Sequence, residues 1–346
     1  GTGYTGAGSA SGSYGSASGA TGTTGSVSTA GGSGSYGAAS SPAGSAGGGT
    51  VDGVNGASYA PGSAAVPAFH GQAGSPAATA YPAAAGSSIY CFALTMASGN
   101  ETNLLRYQLQ ERVGLFACDE YQVFSNISFA LGPDSAQGGA SLMVIPIGIS
   151  MEVPHGGRWG TALNTDVFVR LWRVVAQEGR WRTHDWSLKL DADAVFLPDR
   201  LRTVLRHMPN PGAKYLNNCK WGMHGPIEVM SRAALDVYFS QTDRCEQIRK
   251  DAMQWQPVHW NEKMLRWTGT DKDHSFGEDQ YLRRCLRLLH VTVVNNYRLL
   301  DELACGGDPK HTGCVGNFVA YHPFKQVDEY KDCLADALAE TGQAVR

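Results

Sequence analysis

The chain has no long hydrophobic run, no excess of basic charge and no Cys-x-x-Cys pair. No stretch approaches the roughly 18 apolar residues that a membrane-spanning helix needs. Lys and Arg number 28 against 31 Asp and Glu, a formal net charge of −3, which gives no support to a nucleic-acid-binding surface. The lack of closely paired cysteines argues against a structural zinc site.

Residues 1–86 contain almost no charge, Asp52 being the one Asp, Glu, Lys or Arg there. Gly, Ser, Ala and Thr dominate, so the segment cannot bury enough apolar surface to offset its chain entropy. We expect a disordered, low-complexity stem or linker. Residues 87–346 are long enough for one sizeable α/β domain. The chain begins without Met and shows no signal-peptide pattern, and we expect its numbering to start inside a longer precursor or at a processed end.

Cysteine is absent before residue 91, and the eight cysteines that follow are scattered. An even, scattered set is typical of disulfides in an oxidising compartment. Two glycosylation sequons, Asn100-Glu101-Thr102 and Asn126-Ile127-Ser128, agree with a secretory-pathway protein. Cys305 and Cys314 bracket a short Gly-rich loop, and we predict that they pair; the other pairings stay open.

The stretch Trp186–Arg200 contains a predicted strand followed by two candidate ligand-binding carboxylates. Trp186, Leu188 and Leu190 alternate with polar residues, the pattern of a half-buried strand. Asp191 and Asp193 follow at its carboxyl end, where open α/β sheets bind ligands. Such a pair can hold a hard divalent cation that in turn holds a diphosphate. A solvated structural pair is the alternative.

The remaining elements predict an α/β fold with a mixed, mainly parallel sheet flanked by helices. Gly114–Cys118 reads as a second buried strand, so Asp119 would follow a strand end and could bind the uracil or ribose of a nucleotide, a plain loop aspartate being the alternative. Leu131–Ala140 reads as a Gly-rich loop, and Leu142–Ile149, interrupted by Pro146, as an edge strand or loop.

Four segments in order resemble the GT-A fold (Rossmann-like) glycosyltransferases, more specifically the fringe and β-1,3-galactosyl/N-acetylglucosaminyltransferase family. They are Lys189–Asp193, Gly225–Leu235, Glu278–Leu286 and His322–Phe324, resembling the family's Asp-rich strand end, its Gly-rich segment with a Ser-Arg-x-Ala-Leu helix, its Glu-Asp helix and its His-Pro-Phe-like segment. The chain departs from the family where Ala192 replaces an acid, where His224–Glu228 replaces a Gly-Gly-Ala-Gly run, and at Gln280.

The resemblance implies roles for individual residues. Asp193 would ligate Mn²⁺ or Mg²⁺ directly, with His322 as the second protein ligand, and Asp191 would lie near the ribose or the water shell of the ion. Asp279, rather than Glu278, would be the general base that takes the acceptor hydroxyl proton in an inverting transfer. A helix-terminal acid that favours the helix dipole is the alternative for Asp279.

The expected activity is sugar transfer from a UDP-sugar donor to a glycan or glycoprotein acceptor, with Trp221, Gly225 and Glu228 on the acceptor side. A tryptophan in the core is the alternative for Trp221. The expected location is the Golgi lumen, with membrane attachment only through a segment that this chain does not contain, or the extracellular space. Two other classes stay open. One is a non-catalytic, secreted carbohydrate-binding or matrix protein, which the Gly/Ser-rich arm favours; the other is a metal-dependent hydrolase or nucleotidyltransferase.

Overall fold

A computed structural model describes residues 88–156, 161–208, 212–253, 259–261, 266–268, 276–307 and 313–340. The predicted stem, residues 1–86, lies outside the described residues. The strands are β1 (Ile89–Leu94), β2 (Glu120–Ser125), β3 (Ala130–Asp134), β4 (Ala140–Met143), β5 (Ile145–Pro146), β6 (His155–Gly156), β7 (Thr161–Ala162), β8 (Trp186–Leu190), β9 (Val195–Phe196), β10 (Lys214–Asn217), β11 (Ile227–Ser231), β12 (His259–Asn261), β13 (Arg266–Thr268), β14 (Thr292–Asn295), β15 (Leu300–Asp301) and β16 (Ala320–Tyr321). The helices are α1 (Asn100–Glu111), α2 (Thr165–Glu178), α3 (Pro198–Arg206), α4 (Arg232–Ser240), α5 (Glu246–Ala252), α6 (Glu278–Leu288) and α7 (Val327–Glu340).

The central sheet has the strand order β14-β10-β11-β8-β1-β2-β5. Its pairings are parallel except those of β11, which runs antiparallel to both of its neighbours. This confirms the predicted mixed, mainly parallel α/β sheet. The carboxyl ends of β8, β1 and β2 therefore meet at one edge, where ligand sites of such sheets lie.

Both faces of the central sheet are covered. Along β1, Ile89, Cys91 and Ala93 pack into one hydrophobic cluster, and Tyr90 and Phe92 pack into another on the opposite face. Helices α1 and α3 contribute to the first cluster, and α2, α4 and α6 to the second. Strands buried on both sides explain the nearly continuous apolar run at the start of this domain.

A small second sheet has the order β15-β16-β9. Strands β15 and β16 are parallel, and β9 is antiparallel to β16. The carboxyl ends of β15 and β16 therefore meet the amino end of β9, which begins two residues after Asp193. This arrangement brings the ends of β15 and β16, which are distant in sequence, to the end of β8.

Two local predictions are wrong. Gly114–Ala117 forms a 3₁₀-helix instead of a strand, with the Leu115 amide donating to the Gln108 side chain, and the second sheet strand is β2, after Asp119. The predicted loop over Leu131–Ala140 contains most of the β3–β4 hairpin, which Asp134 stabilises by accepting hydrogen bonds from Tyr121 and the Ala136 amide. Strand β5 lies at the end of the sheet order, one of the two expectations for its segment.

All eight cysteines form disulfides: Cys91–Cys118, Cys219–Cys305, Cys245–Cys285 and Cys314–Cys333. The predicted Cys305–Cys314 pair is wrong, because Cys305 faces Cys219 at a Cα–Cα distance of 5.2 Å and Cys314 faces Cys333 of α7 at 5.0 Å. Four disulfides are typical of an oxidising, secretory or extracellular environment. Among the described helices, none is long and apolar enough to cross a membrane.

Candidate functional site

The Asp-x-Asp sequence lies at the carboxyl edge of the central sheet, directly after β8. Asp193 is buried, and its backbone carbonyl accepts a hydrogen bond from the Phe324 amide. Asp191 keeps 34% of its side chain exposed. The edge therefore presents one carboxylate fixed inside the protein and one that solvent can reach.

The small sheet brings His322 to Asp193. His322 directly follows β16, and its Nε2 lies 3.4 Å from Asp193 Oδ1. Its Nδ1 lies 3.1 Å from the Oε1 of Glu302, which directly follows β15. Because β15 and β16 are parallel and adjacent, the residues after their carboxyl ends are neighbours.

Asp191, Asp193 and His322, here called the metal-ligand set, have ligand atoms within 4.8 Å of one another. Two carboxylates and one imidazole are a donor set that suits Mn²⁺, and the carboxylates also suit Mg²⁺. Glu101 of α1 adds negative charge nearby: burial raises the pKa of Glu101, and the carboxylates of Asp193 and Asp191 raise it further. The residues fit a divalent cation.

The charges at this edge stabilise the protonated form of His322 and the ionised form of Asp193. Burial lowers the pKa of His322, but Asp193 and Glu302 outweigh it and raise that pKa to about 9. Burial raises the pKa of Asp193, but His322 and the Lys325 ammonium outweigh it and hold that pKa well below its ordinary value. Lys325 Nζ contacts Asp193 Oδ2 directly.

Lys189 joins the end of β8 to the start of α6. Its buried ammonium lies 2.6 Å from Asp191 Oδ1, 3.0 Å from Glu278 Oε1 and 2.9 Å from the Gly225 carbonyl oxygen. Burial lowers the pKa of Lys189, but Asp191 and Glu278 outweigh it and raise that pKa well above its ordinary value. One side chain thus fixes the Asp-x-Asp strand end against the helix that carries Asp279.

Asp279 lies in the first turn of α6, with 20% of its side chain exposed, whereas its neighbour Glu278 is buried against Lys189. Asp279 Oδ1 accepts a hydrogen bond from the Gln280 amide, and Oδ2 lies 3.4 Å from His224 Nδ1. Of the two acids, Asp279 is the more exposed to solvent.

His224 completes a chain of contacts across the site. Its Nε2 lies 2.8 Å from Glu302 Oε2, and burial alone would lower its pKa, but Asp279 and Glu302 raise that pKa to about 10. The two ring nitrogens of His224 therefore connect Glu302 with Asp279. His224, Glu302 and Cys305 also lie close enough together to ligate an ion, but the Cys305 sulfur is bound to Cys219 and offers no thiolate.

The structure contradicts the expected position of Asp119 at the carboxyl end of a strand. Asp119 precedes β2 instead of following a strand, and its Oδ2 accepts from the Ile89 amide at 2.7 Å while Oδ1 lies 3.2 Å from Arg202 Nη2. Since β1, β2 and β8 are parallel, these groups lie at the amino edge of the sheet, opposite Asp191. Asp119 therefore stabilises the far edge of the sheet.

The three acceptor-side candidates occupy different environments. Trp221 is 71% exposed, with its backbone carbonyl accepting a hydrogen bond from Arg283 of α6. Gly225 packs so closely that an added Cβ would meet Glu278 Oε1 at 3.2 Å. Glu228 lies within β11 and has no exposed surface, so its position gives it no direct contact with an acceptor. Burial and the adjacent Glu278 carboxylate raise the pKa of Glu228 well above its ordinary value.

Sequence reasoning missed Glu302, His224, Lys189, Lys325 and Glu101 as members of this edge. The alternation placed Lys189 on the open side of a half-buried strand, but β8 is buried on both faces, so the Lys189 ammonium needs a partner. Glu302 follows a strand of two residues, too short for a periodic pattern. Its position becomes evident only from the pairing of β15 with β16.

No family model and no curated protein matches the sequence. Among solved structures, the chain is similar to a glycosyltransferase involved in the glycosylation of the major capsid of PBCV-1, with 11% sequence identity and a TM-score of 0.37. The match covers 70% of this chain and 97% of that protein. A likeness of this size assigns no activity to this chain, and membership of the fringe-like family stays a prediction.

Proposed function

We propose that this domain is a metal-dependent, inverting glycosyltransferase that moves a sugar from a UDP-sugar to a hydroxyl group of a glycan or glycoprotein. The observation that carries the proposal is the convergence, at the carboxyl edge of a mainly parallel sheet, of the metal-ligand set and a separately held, accessible carboxylate, Asp279. The four sequence segments that resemble this enzyme class contribute to this edge.

On the donor side, Asp193 and His322 would hold Mn²⁺ or Mg²⁺ directly, with Asp191 on its more exposed side. When bound, the cation would supply positive charge that stabilises the departing diphosphate. The protein holds both aspartates in place. The Asp193 backbone carbonyl accepts a hydrogen bond from the Phe324 amide, and Asp191 forms an ion pair with Lys189. Lys325 adds a further positive charge beside Asp193.

On the acceptor side, Asp279 would take the proton of the acceptor hydroxyl group as its oxygen bonds to the anomeric carbon. The bond from that carbon to the diphosphate oxygen breaks, and the diphosphate leaves with the electron pair. Attack opposite the leaving group inverts the anomeric configuration. The Gln280 amide holds one oxygen of Asp279, so the carboxylate is oriented before the acceptor arrives.

Trp221 offers an acceptor-binding surface near this base. Arg283, which donates to the Trp221 carbonyl, lies four residues after Asp279 on α6, about 6 Å along the helix. A tryptophan exposed to 71% can stack against a sugar ring without any rearrangement. We therefore assign Trp221 to the acceptor and place the reaction in the secretory pathway, with the Golgi lumen as the proposed location.

The proposal is tested by UDP release from a panel of UDP-sugars with simple sugar acceptors, with Mn²⁺ and with a chelator, using the full chain. We expect Mn²⁺-dependent release that Asp279→Asn lowers by about 100-fold or more, the usual contribution of a general base. Asp328→Asn is the matched control, because Asp328 also lies in the first turn of a helix, α7. Its side chain is 95% exposed, and its ion-pair partner is Lys331 of the same helix. No release with any donor, or equal release by Asp279→Asn and wild type, would overturn the proposal.

A further inference from the structure

Glu302 is the one described residue that contacts both site histidines. Its Oε1 lies 3.1 Å from His322 Nδ1, and its Oε2 lies 2.8 Å from His224 Nε2. The residue is largely buried, directly after β15, and its backbone carbonyl accepts hydrogen bonds from the Cys305 and Gly307 amides. A buried carboxylate with a fixed backbone can hold two rings in defined orientations.

The contact with His322 determines which ring nitrogen faces the cation. With a cation bound, His322 would donate its Nδ1 proton to Glu302 and present its Nε2 lone pair on the side of Asp193. Histidine ligands of metal ions commonly donate their other ring N–H to a carboxylate in this way, which fixes the tautomer and the ring plane.

The contact with His224 reaches the other half of the site. His224 Nδ1 lies 3.4 Å from Asp279 Oδ2, so one imidazole spans the distance between Glu302 and the proposed base. An unbroken series of contacts then runs from Asp193 through His322, Glu302 and His224 to Asp279.

We propose that Glu302 is a positioning residue that orients His322 toward the cation and, through His224, orients Asp279 toward the acceptor. This inference rests on the proposed function. It adds a residue outside the four sequence segments, and it makes the cation site and the base depend on one carboxylate.

The experiment measures Mn²⁺ binding to the full chain by calorimetry and by electron paramagnetic resonance, for wild type, Glu302→Gln and Glu120→Gln. Glu120 is the matched control: its carboxylate also contacts a histidine, His184, at 2.9 Å, but it begins β2 at the opposite edge of the sheet. We expect Glu302→Gln to weaken Mn²⁺ binding about 10- to 100-fold and Glu120→Gln to leave it unchanged, with both variants retaining the wild-type unfolding temperature within a few degrees.

A double variant distinguishes a positioning role of Glu302 from a general loss of structure. In His322→Asn the added Glu302→Gln change should cost no further Mn²⁺ affinity, because Glu302 acts on the cation through His322. His224→Gln should lower the UDP release rate and leave Mn²⁺ affinity unchanged. If wild type binds Mn²⁺ in an Asp193-dependent manner and Glu302→Gln binds it equally well, this inference fails alone. If wild type binds no Mn²⁺, the proposed function fails with it.

Discussion

Replacing Lys189 by methionine should destabilise the protein by about 3–5 kcal/mol, the usual cost of removing one partner from a buried ion pair. Lys189 is 1% exposed and has three oxygen partners, two of them carboxylates. Methionine fills a similar volume, so the cost comes from leaving Glu278 buried without a positive charge. The assay is urea unfolding of the disulfide-intact full chain at pH 7.5, with the denaturant slope checked for two-state behaviour.

The destabilisation should depend on pH in a defined direction. Burial raises the pKa of Glu278 and Lys189 opposes that rise, so the pKa of Glu278 climbs further in the variant. A carboxyl group with a folded-state pKa above its unfolded value loses stability as pH rises. The deficit of Lys189→Met should therefore be largest at pH 7–8 and smaller near pH 4.5.

Two variants make this prediction refutable. Adding Glu278→Gln to Lys189→Met should recover part of the lost stability, since the unpaired buried charge is removed. Lys331→Met, which removes an exposed lysine of an i, i+3 pair, should cost about 0.5 kcal/mol or less. Stability of Lys189→Met within 1 kcal/mol of wild type, or a deficit that grows toward acid pH, would contradict the reasoning.

Three further perturbations follow from the same structure. Burial and Glu278 raise the pKa of Glu228, so this carboxyl group makes wild type less stable as pH rises. At pH values above about 6, Glu228→Gln should therefore have a higher unfolding temperature than wild type, and near pH 4 the two should be equal. Scanning calorimetry from pH 4 to 8 checks the sign. Serine at both Cys314 and Cys333 should cost about 3 kcal/mol in urea unfolding, and non-reducing peptide mapping should recover this pair in wild type. Trp221→Ala should raise the acceptor KM several-fold with little change in UDP-sugar affinity, and equal acceptor kinetics in the two proteins would remove Trp221 from the acceptor surface.

The end of β8 could be predicted because its pattern is local. Alternation from Trp186 to Leu190 fixes a strand, and the two acids that follow must then lie at its carboxyl end. Asp119 was misplaced by the same reasoning, because a short apolar run such as Gly114–Cys118 does not distinguish a strand from a helical turn. The sheet strand begins after Asp119 instead of ending before it, so the Asp119 carboxylate lies at the opposite edge of the sheet from the predicted one.

The contacts around Glu302 could not be predicted from periodicity. Strands β9, β15 and β16 have two residues each, and the pairing of β9 with β16 joins segments more than 100 residues apart. The same nonlocal packing decided the disulfides, since Cys305 pairs with Cys219 across 86 residues instead of with its near neighbour. The resemblance supplied His322, whereas Glu302 and the site contacts of His224 come from the structure.

The central claim is that the carboxyl edge of the sheet binds a nucleotide-sugar through a divalent cation. Its most direct test is calorimetric titration of the full chain with UDP-sugars, with Mn²⁺ and with a chelator, for wild type and Asp193→Asn. The account predicts binding that requires Mn²⁺ and is lost in Asp193→Asn. Failure of every UDP-sugar to bind with or without metal, or equal binding by Asp193→Asn, would contradict it.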